Sequence, residues 1–162
     1  MRPESLSAWI LNLTMKTNDI YLSLGTNIGD RRANIEAALK ALDEGMGCHY
    51  SALSSIVESR SWGFSGPDFL NCVVRYGSSI PPEDLLALCK AIERKMGRQE
   101  RIEYAPDGSR IYHDRIIDID ILLYGDEHFS TPALTVPHPK MWEREFVREP
   151  LSEIFEQDRG ND

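Results

Sequence analysis

Two aspartates one residue apart, Asp118-Ile119-Asp120, interrupt an otherwise apolar run over residues 116–124 (IIDIDILLY). On a β-strand alternate side chains share a face, so both carboxylates project one way while Ile117, Ile119 and Ile121 project the other. Two carboxylates so placed disfavour each other's ionisation through desolvation and like-charge repulsion. A divalent cation removes that penalty. Hard oxygen donors suit Mg2+, which takes one or two carboxylates and completes its shell with phosphate oxygens and water. The competing reading is an edge strand with a hydrated polar face, and the apolar density on both sides of the pair weighs against it.

A second set of residues is basic. Arg98, Arg101, Arg110 and Arg115 lie in or at the edges of a polar stretch, residues 98–115, that leads into the aspartates. Guanidinium forks grip phosphate oxygens in pairs, and a loop can close them over a triphosphate. Glu100, Glu103, Asp107 and Asp114 are interleaved with them, so the stretch by itself also suits a solvated mixed-charge loop. His138, behind Val136-Pro137, and Arg144 could extend the phosphate contacts; a histidine after proline equally suits a hydrogen-bonded turn. Phe69 and Asn71 share a strand face, an aromatic platform beside an amide, with Trp62, Phe64 and Phe146 as further aromatics. That pairing suits a flat heterocycle, and the alternative is that Phe69 belongs to the core. Gly25-Thr26-Asn27 with Gly29 matches neither the dinucleotide nor the Walker glycine pattern and reads as a tight turn that presents Asn27.

The elements that must position these residues follow from periodicity. Residues 20–24 read as a strand, and Asp30 then caps a helix with Ile35, Ala38, Leu39 and Leu42 on one stripe, stopped by Gly45 and Gly47. Residues 49–58 read as a second strand, 59–67 as a loop and 69–76 as a third strand. Pro81-Pro82-Glu83-Asp84 opens a second helix with Leu85, Leu88, Ile92 and Met96 on its apolar face, ending at Gly97. After the polar loop comes the aspartate strand, then a short hairpin near His128, and a closing helix from about 143 to 155. The order β-α-β-β-α-β predicts an α+β ferredoxin-like plait: an antiparallel sheet with helices packed on one face and the active site on the other.

The 162 residues suit one domain, placed at 19–157, with 158–162 as a tail. Residues 1–18 read as a loose leader or a mis-assigned start, since Met15 opens a natural beginning. A net charge of −8, from 18 basic and 26 acidic residues, argues against a nucleic-acid surface or an anionic membrane. Only residues 94–115 carry a positive balance, 6 basic against 4 acidic. No apolar run is long enough to span a membrane. Three widely spaced cysteines, Cys48, Cys72 and Cys89, read as reduced thiols and a cytoplasmic location.

Together these residues resemble the 6-hydroxymethyl-7,8-dihydropterin pyrophosphokinase family, from about residue 20 to 151. The most specific stretch is Asp114-Arg115-Ile116-Ile117-Asp118-Ile119-Asp120-Ile121-Leu122. It is supported by Leu24-Gly25-Thr26-Asn27, Phe69-Leu70-Asn71, Ile92-Glu93 with Gly97-Arg98, and Val136-Pro137-His138 followed by Arg144 and Phe146. The resemblance implies transfer of pyrophosphate from ATP to a pterin alcohol in folate biosynthesis, releasing AMP, by in-line displacement at the β-phosphorus with two Mg2+ ions. It implies Asp118 and Asp120 as metal ligands and Arg98, Arg115, His138 and Arg144 as phosphate contacts, with Arg101 and Arg110 in the same loop. Glu93 would border the nucleotide, and Ile121, Leu134 and Thr135 would line the adenine and ribose. The pterin would stack between Phe69 and Phe146, read by Asn71 and by main-chain groups of Ser59 and Trp62, with Asn27 completing the pocket. Arg98, Arg115 and Asp120 would be catalytic, Asp120 or water taking the proton.

The family further implies a monomer with two small-molecule substrates, ATP and a dihydropterin. Two other classes fit the plait: a palm-like nucleotidyltransferase or cyclase, and a non-catalytic ligand-binding module. The first leaves Phe69-Asn71 and Val136-Pro137-His138 without a role, the second leaves the aspartates without one.

Overall fold

The computed structural model describes residues 16–60, 67–97, 103–111 and 115–160. Its main sheet is antiparallel and is built around β1 (Asn18–Thr26), with β4 (Phe69–Ser78) on one side and β7 (Asp118–Tyr124) on the other. Two short strands, β2 (Ala52–Leu53) and β3 (Val57–Ser59), both pair with the outer edge of β4. The molecule is α+β, with helix α1 (Arg31–Met46) after β1 and α2 (Pro82–Lys95) after β4.

Both helices pack on one face of the sheet because their apolar stripes match the pleat. Ile20, Leu22 and Leu24 of β1, Leu70, Cys72, Val74 and Tyr76 of β4, and Ile117, Ile119 and Ile121 meet Ile35, Ala38, Leu42, Leu85, Cys89 and Ile92 in one core. The Asp30 carboxylate accepts the Ala33 N–H at 3.1 Å and caps α1. In α2, Pro82 opens the helix, Glu83 and Asp84 occupy its first turn, and Arg94 and Lys95 its last, each matching the helix dipole. Burial pushes the thiols of Cys72 and Cys89 up to about 12, which leaves both unreactive.

Several expected boundaries shift, each for a tertiary reason. Helix α1 runs through Gly45 and stops at Gly47, which takes the left-handed conformation at φ 72°. Gly45 instead makes room for α2: a Cβ there would stand 2.3 Å from Leu88 Cδ1. The second strand is broken in two at residues 54–56. The aspartate strand begins at Asp118 and not at residue 116. Inside the expected polar loop, β5 (Glu103–Tyr104) and β6 (Arg110–Ile111) pair as a hairpin around Pro106-Asp107-Gly108, and β8 (Phe129–Ser130) pairs with β9 (Thr135–Val136).

The largest difference is on the opposite face, which is not wholly open. Helix α3 (Glu145–Gly160) lies across it, burying Val147, Leu151 and Ile154 against Tyr21, Val73, Leu122 and Met141. An ion pair between Arg75 of β4 and Asp158, at 2.5 Å, fastens its last turn, so the helix continues past residue 157. A bulge in β7 enlarges the same contact: the β1 pairing slips between Tyr21 and Leu22, so that Leu123 follows Leu122 onto the α3 side and Tyr124 turns to the helix-side core. What α3 leaves uncovered is the half of that face formed by Gly25, Asn71, Asp118 and their neighbours, which line a cleft. Leu151 is fully buried in the α3 interface; Leu151→Ala should lower unfolding free energy by about 2–5 kcal/mol in a urea titration, and a loss under about 1 kcal/mol would mean that α3 is not packed as described.

Candidate active site

The uncovered half of the sheet floors a cleft of about 1000 Å3, at the large end for small-molecule sites. Strand register sets its floor. Asp118 lies opposite Gly25, which lies opposite Asn71; one step along, Asp120 lies opposite Ser23. Gly25 is therefore a gap in a row of side chains. A Cβ there would sit 3.1 Å from Asn71 Oδ1 and 3.6 Å from Phe69 Cδ1, so glycine keeps open the space between the carboxylates and the amide.

Each aspartate faces an arginine. Arg115 Nη1 donates to Asp118 Oδ1 at 3.2 Å, and Arg144 Nη1 stands 3.9 Å from Asp120 Oδ2. Burial in the floor, followed by the charge of Asp118, lifts the Asp120 carboxyl to about 7, against the pull of Arg144 and Arg115. Such a pair gains from a cation. Among the described residues no group of three or more His, Cys, Asp or Glu side chains is placed to hold a metal. Two carboxylates alone suit Mg2+, whose remaining positions go to water and phosphate, and do not suit a closed structural zinc site.

The two ends of the cleft differ in character. Phe69, Asn71, Ser59 and Phe146 line one part of it. Asn71 Nδ2 donates to Ser59 Oγ at 2.8 Å and to Val57 O at 3.3 Å, which commits its donors to β3 and leaves Oδ1 on the side of Gly25. The Arg144 guanidinium carbon is 5.8 Å from the Phe146 ring centre, a cation–π distance that links the aromatic wall to the charged end.

Other residues singled out from the sequence stand behind this surface. Asn27 is fully buried. Its Nδ2 donates to Pro67 O at 3.1 Å, its Oδ1 accepts the Arg115 N–H at 2.7 Å, and its own N–H donates to Arg115 O at 3.0 Å. It thus ties Pro67 to the residue that leads into β7. Glu93 is buried on the helix side, where its Oε2 accepts the Ile119 N–H at 2.9 Å and holds the backbone between the two aspartates. Ile121 and Leu134 pack in the helix-side core, and Thr135 Oγ1 pairs with Ser130 Oγ at 3.0 Å. None of these three lines the cleft.

His138 follows a cis Val136–Pro137 bond and donates its N–H to Leu122 O. Its Nδ1 accepts the Lys140 N–H at 3.2 Å, and burial with Arg144 nearby lowers its pKa. Trp62, Arg98 and Arg101 lie outside the described residues, and Arg110 enters only as a backbone position in β6. The cleft wall also contains Arg60, Lys140 and Arg148, which sequence reasoning missed. Arg148 was within reach of that reasoning, since it falls one helical turn after Arg144.

Comparison with known proteins is consistent across the chain. Residues 21–156 match the family model described as 7,8-dihydro-6-hydroxymethylpterin-pyrophosphokinase. The chain is 44% identical over 137 residues to the 2-amino-4-hydroxy-6-hydroxymethyldihydropteridine pyrophosphokinase of Porphyromonas gingivalis, covering 83% of this chain and 89% of that one. It is 38% identical over 141 residues to the enzyme of the same name from Bacillus subtilis, covering 86% and 80%. It is 37% identical over 146 residues to the mitochondrial folate synthesis bifunctional protein of Pisum sativum, covering 90% of this chain and 27% of that protein.

The Asp120 environment has a consequence for stability without metal. A carboxyl raised from 3.8 to about 7 contributes stability that is fully present below its ordinary value and lost as pH rises through 7. In chelator-treated protein Asp120→Asn should therefore raise Tm by about 2–6 °C at pH 8 and by less at pH 5. An equal gain at both values, measured by scanning calorimetry, would contradict the assigned environment.

Proposed function

The chain belongs to the 7,8-dihydro-6-hydroxymethylpterin-pyrophosphokinase family, and we propose that it transfers the pyrophosphoryl group of ATP to the hydroxymethyl oxygen of 6-hydroxymethyl-7,8-dihydropterin, releasing AMP, in folate biosynthesis. The observation that carries this reading is the row across the open sheet: paired carboxylates with an arginine at each, then a glycine gap, then an amide and an aromatic ring. The order of strands and helices supports reading the sheet as a split βαβ plait of the ferredoxin-like kind.

Phe69 and Phe146 would sandwich the pterin ring, and the free Asn71 Oδ1 would accept from its N–H edge. That leaves the hydroxymethyl group over Gly25, facing the aspartates. Asp118 and Asp120 would hold two Mg2+ ions, which when bound supply charge neutralisation for a triphosphate. With the carboxylates so engaged, Arg115 and Arg144 would turn their guanidinium groups to phosphate oxygens and stabilise charge that builds as AMP leaves. Arg98, Arg101, Arg110 and His138 would add phosphate contacts, and Glu93, Ile121, Leu134 and Thr135 would border the nucleoside. Asn27 would act from behind, holding Arg115 and Pro67 together; main-chain groups of Ser59 and Trp62 would complete the pterin site.

In the step itself, a bond forms between the pterin hydroxyl oxygen and the β-phosphorus as the bond from that phosphorus to the α–β bridging oxygen breaks. The hydroxyl proton is lost, to Asp120 or to water. Phosphoryl transfer of this kind depends chiefly on placement and charge, which is what the row provides. The protein would act as a monomer in the cytoplasm.

Incubation with ATP, Mg2+ and the pterin alcohol should give AMP only when the pterin is present, and ADP or free pyrophosphate as product would contradict the proposal. Asp118→Ala and Asp120→Ala should each lower kcat at least about 100-fold, in line with loss of electrostatic stabilisation worth a few kcal/mol, with far-ultraviolet circular dichroism unchanged. Near-normal turnover in either would place the metal site elsewhere.

A further inference from the structure

The edge strand that completes the pterin wall is broken, and the break is held from the far end of the chain. Leu53 lies opposite Val74 and Val57 opposite Asn71, so three residues of the edge, 54–56, face two of β4. Ser54 bridges the mismatch. Its N–H donates to Val73 O at 2.9 Å, and its Oγ accepts the Val73 N–H at 2.8 Å, so Val73 keeps both backbone partners while the chain steps outward. Ser55, the residue thrown out, turns both donors onto one carboxylate: its N–H reaches Glu153 Oε2 at 2.9 Å and its Oγ reaches Glu153 Oε1 at 2.8 Å.

Beyond the bulge β3 pairs one residue out of step with β2, and that step decides which side chains face the cleft. It puts Ser59 Oγ and Val57 O where they take both donors of Asn71, and so turns Asn71 Oδ1 toward Gly25. Hydrogen bonds to a carboxylate are stronger than neutral ones, and two from one residue fix its orientation as well as its distance. We infer that Glu153 is a positioning residue for the pterin half of the site: through Ser55 it locks the edge-strand bulge that sets the amide of Asn71.

This inference rests on the pyrophosphokinase reading, and its test separates the two. Steady-state kinetics on the full chain, varying each substrate in turn, should show Glu153→Ala raising the KM for the pterin about ten-fold with the KM for ATP within about two-fold. Ser55→Ala should move the pterin KM in the same direction, and the double variant should be no worse than Glu153→Ala alone. Glu153→Gln keeps the Oε1 acceptor for the Ser55 hydroxyl and should recover most of the loss. General weakening of the fold would raise both KM values together, and that outcome, or an unchanged pterin KM in Glu153→Ala and Ser55→Ala, overturns the inference. If the wild-type protein gives no pterin-dependent AMP, the proposed function fails. In that case the Asn71 side-chain amide signals in ligand-free protein decide the positioning role alone: they should shift in Glu153→Ala, and unshifted signals would refute it.

Discussion

A strand whose odd-numbered residues must be buried has no choice about its even-numbered ones. Ile117, Ile119 and Ile121 are drawn under α1 and α2 by the hydrophobic effect, and the pleat then delivers Asp118 and Asp120 to the opposite face. The same alternation in β1 and β4 sends Ser23, Gly25, Phe69 and Asn71 to that face. The placement of the two carboxylates is thus a by-product of core formation. Glu93 reinforces the point from below, since its buried carboxylate holds the one amide that lies between the two aspartates.

The second constraint is partial coverage. A fully bare sheet face would expose Tyr21, Val73 and Leu122, and a fully covered one would leave no cleft. Helix α3 buries the first group and stops short of the second, and Phe146, at its start, belongs to both the packed cluster and the cleft wall. The helix that stabilises one half of the face therefore also walls the other half. Its Glu153 reaches back to the edge strand, so the same helix meets the proposed pterin end of the cleft at two places.

What the sequence made legible is what local patterning encodes. The apolar alternation around the aspartates, the Asp30 cap, the Pro82 start and the helical stripes each depend on residues within a turn or two, and all recur in the structure. What stayed hidden depends on distant partners. The sequence gives no reason to prefer Gly47 over Gly45 as the end of α1 until Leu88 is known to press on Gly45. The break at residues 54–56 depends on a glutamate 98 positions from Ser55. Asn27 reads as a ligand contact because it follows a glycine turn, and no local pattern reveals that its buried amide is bonded to Pro67 and Arg115. Arg60 and Lys140 reach the cleft wall by the paths of their loops, for which no periodicity exists to be read.

The central proposal is that the two carboxylates on this face, acting as a pair, hold metal together with the oxygens of a triphosphate. Electron paramagnetic resonance of Mn2+ titrated into the protein with and without a non-hydrolysable ATP analogue tests it most directly. The account predicts two tightly held ions per chain with the analogue present, weak uptake without it, and loss of both ions in an Asp118→Asn, Asp120→Asn double variant. Uptake in the double variant equal to wild type would contradict it.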